Sequence, residues 1–247
     1  MTPPRIACAG WSIARADKPR FADHGSHLER YAAVFPAVEI NSSFYRPHRP
    51  DTYRRWAASV PDGFRFAAKL PRTITHGHRL AGALPLLETF LGEVGALREK
   101  LGVLLVQLPP SLAFDGSSVA RFFREFRLRY DGGLCVEPRH ASWFDPPADT
   151  LLRRHRIARV AADPALNAAA AMFGGDRSLC YLRLHGSPRM YYSNYDSAYL
   201  EDAAQRLEAE RARGAATWCI FDNTAAGHAV ANALELLELI GRDRPDR

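Results

Sequence analysis

Short apolar runs alternate with longer segments of helical periodicity along the whole chain. Runs rich in β-branched and apolar residues predict strands at residues 5–10 (RIACAG), 37–41 (AVEIN), 64–69 (FRFAAK), 102–108 (GVLLVQL), 133–138 (GLCVEP), 158–163 (ARVAAD), 179–185 (LCYLRLH) and 217–223 (TWCIFDN). Between them HLERYAAVF, TYRRWAAS, ALPLLETFLGEVGALREKL, SSVARFFREF, DTLLRRHR and YLEDAAQRLEAERARG read as helices, and HAVANALELLELIG follows the eighth strand. Asp51, Ser117 and Asp149 stand where helix N-caps are wanted, and the last two helices read as ending at glycine. The alanine-rich LNAAAAMF after the sixth strand reads as a poorly formed helix. Strand starts lie 21 to 38 residues apart with a mean near 30, the length of a βα unit. Eight such units predict an α/β chain folded as a (β/α)8 TIM barrel, one domain over residues 1–247. An open doubly wound sheet would carry a glycine-rich phosphate loop after its first strand, and GWSIARADKPR has a single glycine.

Strand alternation then sorts side chains by face. Val38 and Ile40 go to the helices, which leaves Glu39 and Asn41 facing inward; Lys69, Glu137, Arg139, Arg183 and His185 follow by the same rule. Pro138 cannot donate a ladder hydrogen bond, so strand five is expected to end there. Gln107, Asp163 and one of Asp222 or Asn223 close strands four, six and eight. Polar groups gathered at strand C-termini are what a barrel active site requires, although ion pairs that merely fill the mouth would look the same.

Four residues carry the acid–base reading. Glu39 and Glu137 are candidates for paired carboxylates, His185 for proton transfer, and Asp163 for the carboxylate that orients it. Lys69, Arg139 and Arg183 are cations suited to an anionic group. Asn41, Gln107, Asp222 and Asn223 supply further polar contacts, while Trp11, Tyr45 and Trp143 could stack on a ring, Trp143 by closing over it. The metal ligands of the ring are unassigned. The candidate donors are His185, Glu39, Glu137, Asp163 and Asp222, with His76, His78 or His140 in reach, and they suit Mg²⁺ or Mn²⁺ better than zinc. The cofactor is left unassigned, a divalent metal being compatible with these residues.

Composition narrows the partners. The 247 residues are 47% hydrophobic and 24% charged, ordinary for a globular chain and unlike a disordered one. Net charge is +6, but the arginines are scattered, which favours a solvated surface over a nucleic-acid stripe. No apolar run approaches a membrane span and the N-terminus has no signal-peptide core, so a cytoplasmic protein is expected. Cys8, Cys135, Cys180 and Cys219 are far apart in sequence and read as reduced and buried. Nucleophile-elbow, P-loop and dinucleotide motifs are missing.

Five segments together resemble a known family: VEINSSFYR (38–46), QLPPS (107–111), VEPRHASW (136–143), RLHG (183–186) and FDNT (221–224), in order after Gly10–Trp11. The chain resembles domain-of-unknown-function family 72, the YecE-like proteins, over nearly its whole length. That resemblance implies a TIM barrel and leaves activity open; barrels of similar shape include metal-dependent DNA-repair nucleases, and DNA binding has been proposed in the family by structural analogy. Three departures stand out. Many members have Trp and Tyr soon after the first GW, VEFRH where this chain has VEPRH, and NNT where it has DNT. The expected function is an enzyme of hydrolase or phosphodiesterase type acting on a polar anionic ligand at the barrel mouth; the alternative is a nucleic-acid-binding module without catalysis.

Overall fold

The computed structural model describes residues 2–242. Its strands are β1 (Arg5–Cys8), β2 (Ala37–Ile40), β3 (Arg65–Lys69), β4 (Leu101–Gln107), β5 (Gly133–Glu137), β6 (Ala158–Arg159), β7 (Ala161–Asp163), β8 (Gly174–Gly175), β9 (Leu179–Leu184) and β10 (Ala216–Phe221). The helices are α1 (His27–Ala32), α2 (Ser42–Tyr45), α3 (Pro50–Ala58), α4 (Leu84–Val94), α5 (Gly116–Arg127), α6 (Pro146–Arg154), α7 (Ser197–Ala212) and α8 (His228–Arg242). Seven of the eight segments expected as strands hold one strand each, residues 158–163 divide into β6 and β7, and β5 stops at Glu137, before Pro138.

The strands form two sheets rather than one closed one, in the orders β2-β3-β4-β5-β6-β8 and β1-β10-β9-β7. Every pairing is parallel except β6 with β8. The single strand expected over 158–163 changes partner at Val160, so β6 pairs with β5 while β7 pairs with β9. Across the other seam β1 and β2 share one isolated bridge, Ala9 with Glu39, where Gly10 N–H donates to Glu39 O at 2.9 Å. Gly10 has φ +102°, a conformation open to glycine, and it turns the backbone away before a ladder can extend.

Alternation holds along the strands. Val38, Ile40, Leu104, Val106, Leu134, Val136, Leu182 and Leu184 join the large core beneath the helices. Ala7, Ala37, Ala67, Val103, Leu105, Cys135, Tyr181, Trp218 and Ile220 form a second cluster to which both sheets contribute. Burying each large apolar side chain is worth about 1.5–3 kcal/mol, so this two-faced pattern fixes which side chains remain for the strand ends. Trp218 stacks on Tyr181 with ring centroids 6.0 Å apart. It lies so close to β4 that a Cβ on Gly102 would sit 2.7 Å from its ring.

Helix starts differ from the sequence expectation. Pro50 and Pro146 open α3 and α6, behind caps at Arg49 and Asp145, because proline suits the first helical position. Asp51 and Asp149 consequently fall in first turns, where a carboxylate complements the helix dipole. Asp115 rather than Ser117 caps α5, its carboxylate accepting from Ser117 N–H at 3.2 Å. Gly214 follows α7 at φ +91°, whereas α8 continues through Gly241. LNAAAAMF yields only a 3-10 turn at Ala168–Ala171. All four cysteines are free and buried, and among the described residues no helix is long and apolar enough to cross a membrane.

Candidate functional site

Arg183 of β9 is the hub. Its neighbours in alternation, Tyr181 and His185, share its face, and all three are buried. The guanidinium donates from Nε to Glu39 Oε2 at 3.1 Å and from Nη2 to Glu39 Oε1 at 2.7 Å, a two-pronged clasp on the β2 carboxylate. Nη1 donates to Glu137 Oε2 at 2.6 Å and Nη2 to Asp222 Oδ2 at 3.0 Å. Tyr181 adds an O–H bond to Glu39 Oε2 at 2.8 Å. Burial opposes the charge on Arg183, yet Glu39, Glu137 and Asp222 outweigh it and hold the proton more tightly than usual.

His185 lies between two of the same carboxylates. Nδ1 is 3.0 Å from Asp222 Oδ2 and Nε2 is 2.8 Å from Glu137 Oε1. Arg139 reaches this point too, with Nη2 2.5 Å from Glu137 Oε1 and 3.0 Å from His185 Nε2. Burial raises the cost of ionising Glu137, but Arg183, Arg139 and His185 together hold its carboxyl well below the usual range. Asp222 follows the same pattern: burial opposes ionisation, and Arg183 and His185 prevail. Gln107 Nε2 donates to Glu137 Oε2 at 3.3 Å, and Asn41 Nδ2 to Asp222 Oδ1 at 3.4 Å.

Lys69 behaves differently. It ends β3 with 6% exposure, its ammonium 4.2 Å above the Phe44 ring, and among the described residues its Nζ has no hydrogen bond or ion pair. Ser43 Oγ fixes the backbone there by donating to Lys69 O at 2.6 Å. Burial, reinforced by Arg183, lowers the Lys69 ammonium to about 8 against the pull of Glu39, Glu137 and Asp222. Asn41 Oδ1 and Arg139 Nε are also buried without partners.

The structure thus gathers Glu39, Asn41, Lys69, Gln107, Glu137, Arg139, Arg183, His185 and Asp222 at the strand C-termini. Other expected residues lie elsewhere. Asp163 shares the helix-side face of Ala161, and its carboxylate accepts from Tyr195 O–H at 2.8 Å, so Asp222 occupies the place expected for it beside His185. Asn223 points the opposite way from Asp222, donating to Ser193 O at 3.0 Å and Asn232 Oδ1 at 2.9 Å. Trp143 is fully buried, its indole N–H donating to Leu112 O at 2.9 Å, and it cannot close over a ligand. Trp11 packs edge-on against Trp56, while Tyr45 is 73% exposed beside Phe44. Glu39 and Glu137 close on one guanidinium instead of flanking a gap as a free carboxyl pair would.

Metal coordination does not fit this arrangement. Arg183 stands where the carboxylates would hold a cation, and no group of three or more His, Cys, Asp or Glu among the described residues is arranged to bind one. Tyr181 escaped the sequence reading of the site, although strand parity alone would have placed it beside Arg183; Tyr191, one of the aromatics that follow strands, also reaches the cluster. The Tyr191 backbone N–H donates to His185 O, and its ring meets the imidazole edge-on at 5.9 Å.

A buried acid–base cluster carried on the C-terminal ends of parallel strands defines an α/β protein with its polar site on the strand ends. Within that class, the family described as "Protein of unknown function DUF72" matches residues 5–247, and the chain belongs to it. It is 23% identical to the Bacillus subtilis UPF0759 protein YunF, over 95% of this chain and 94% of that one. Identity to the Escherichia coli K12 UPF0759 protein YecE is 37%, over 47% of this chain and 43% of that one. A crystal structure of an Enterococcus faecalis DUF72 protein superposes with TM-score 0.82 at 18% identity, covering 98% of both chains. One from Thermotoga maritima gives 0.80 at 23% identity, covering 97% of this chain and all of the other.

Proposed function

We propose that this protein is an enzyme that binds a small polar anion at the strand C-termini and moves a proton with the Glu137–His185–Asp222 array. The same reading takes the two sheets as two arcs of an eight-stranded barrel whose mouth is this site. One observation carries it: Lys69 faces three carboxylates and pairs with none of them. Arg183 takes up Glu39, Glu137 and Asp222, which leaves Lys69 to attract negative charge, reinforced by the neighbouring Arg139 guanidinium. A purely structural network would neutralise a buried lysine, because an unpaired buried charge is costly.

His185 is the proton carrier in this reading. Glu137 is gripped by two guanidinium groups, which makes it a weak base, and Asp222 orients the imidazole through Nδ1. Hydrolysis of a phosphodiester without a metal would rely on these groups and Lys69 alone. To test binding, thermal unfolding of the wild-type protein is followed against phosphate, acetate and lactate at low and high salt. Saturable, salt-sensitive stabilisation that disappears in Lys69→Met supports the reading; equal shifts in both proteins refute it.

A further inference from the structure

We propose that Lys69 is a carbonyl-condensing amine, forming an imine with the aldehyde or ketone carbon of a small oxo acid whose carboxylate pairs with Arg139. This rests on the anion-binding reading of the same site and goes beyond it by naming the reacting atom and the substrate class. Residue choice is the first support. Arginine outnumbers lysine thirty to three in this chain, yet the inward position on β3 is a lysine. A guanidinium serves as well or better for holding an anion, whereas only the lysine can deprotonate and act as a nucleophile.

The three lysines have different surroundings. Lys100 is buried but occupied, donating from Nζ to Ala57 O at 2.8 Å and Val60 O at 2.7 Å. Lys18 is exposed in the 3-10 turn Arg15–Arg20. Lys69 alone is buried, free of hydrogen bonds and aimed at an acid–base cluster. Its Nζ is not among the sealed unpartnered atoms, unlike Arg139 Nε and Asn41 Oδ1, so what little of the side chain remains exposed includes the amine. Phe44 covers one side, while burial and the nearby Arg183 guanidinium favour the neutral amine.

Groups around the amine meet the needs of the chemistry. The charged and titratable groups facing it are Arg183, Glu39, Glu137 and Asp222, with His76 from the segment after β3. The nitrogen lone pair of Lys69 attacks the carbonyl carbon and forms the C–N bond. The C=O π pair passes to oxygen, which gains a proton and becomes the carbinolamine hydroxyl while nitrogen loses one. Expulsion of that hydroxyl, which receives a proton through His185, breaks the C–O bond and releases one water. Overall, amine, carbonyl and one proton give iminium and water, with no change in oxidation state.

Full-length protein is incubated with pyruvate or glyoxylate and sodium cyanoborohydride, whose hydride converts the iminium to a stable secondary amine. Intact mass and peptide mapping then read out the adduct. The expected result is a single adduct at Lys69 that outpaces Lys18 at least tenfold within the same molecules. The adduct is lost in Lys69→Met and in Lys69→Arg, the latter keeping the charge should the former fail to fold. Its rate should rise between pH 7 and 9, and His185→Gln should slow it more than tenfold at unchanged Lys18 labelling. Adduct on Lys18 or the α-amine with Lys69 unmodified overturns the proposal. Unreactive lactate separates the two ideas: stabilisation by lactate without an adduct rejects imine chemistry and keeps the anion site, while neither signal rejects both.

Discussion

Replacing Arg183 by methionine removes the single group that three buried carboxylates share. Glu39 and Glu137 would keep Tyr181, Gln107, Arg139 and His185 as neighbours, but the four charge-assisted bonds from Arg183 would vanish. Breaking a buried pair from one side costs about 3–5 kcal/mol, and here the stranded side carries more than one charge. Against a total stability of about 5–15 kcal/mol, Arg183→Met should lose a third or more of its margin at neutral pH. For a chain of this size that corresponds to a melting temperature lower by roughly 6–20 °C.

The pH dependence discriminates further. In the wild type the folded Glu137 and Asp222 ionise more readily than unfolded carboxylates. Their stabilisation is therefore present above the unfolded value and lost as pH falls through the folded one. Without Arg183, burial dominates and the folded carboxylates bind protons more readily than unfolded ones, so the variant should gain stability on acidification from pH 7 toward 5. Urea denaturation at pH 7, 6 and 5 measures both slopes, and Glu39→Gln added to Arg183→Met should recover part of the loss. A loss under about 1 kcal/mol, or parallel pH slopes in wild type and variant, would refute this account of the hub.

Lys69→Met should behave in the opposite way, stabilising the protein at pH 7. Depression of the ammonium from 10.5 to about 8 corresponds to about 3 kcal/mol that folding loses while the amine stays charged. That cost is full below pH 8 and disappears as pH rises toward 10.5, so chemical denaturation at pH 7 and pH 10 should show the variant's advantage shrinking. Trp143→Ala should cost about 3–5 kcal/mol by denaturant unfolding and leave anion-dependent stabilisation intact, because the indole is core. Gly102→Ala should cost about 1–3 kcal/mol by driving a methyl group into Trp218; an unchanged melting temperature would contradict the packing described for β4.

Strand parity made much of the fold and site legible. Glu39, Lys69, Glu137, Arg183 and His185 fall on one face because the apolar residues at the alternate positions, such as Val38, Ile40, Leu134, Val136, Leu182 and Leu184, fix the phase of their strands. Parity failed where the strand itself was irregular. Over residues 158–163 the apolar run offers small residues on both faces, so nothing in ARVAAD distinguishes the phase that turns Asp163 toward Tyr195 from the one that would turn it inward. The FDN triplet posed the same ambiguity with two polar neighbours, and the β9–β10 register resolves it by pairing Ile220 with Arg183, which puts Asp222 beside His185. A tryptophan in a loop after a strand looks the same in sequence whether its indole N–H meets a ligand or, as for Trp143, the Leu112 carbonyl.

Sheet closure was beyond sequence reasoning for a related cause. Eight strands at the spacing of βα units are compatible with one continuous ladder or with two sheets meeting at seams, and the difference lies in a few hydrogen bonds near Gly10 and Val160. Pairing within the cluster depends on the same stagger. A list of three acids and three basic side chains on one face permits several matchings, and the relative heights of β2, β5, β9 and β10 give all three carboxylates to Arg183. Had Lys69 and Arg183 exchanged places, the unpaired cation would be a guanidinium, permanently charged and incapable of covalent chemistry. The arrangement found instead gives the saturated position to the group that cannot lose its proton, and leaves the open one to the group that can.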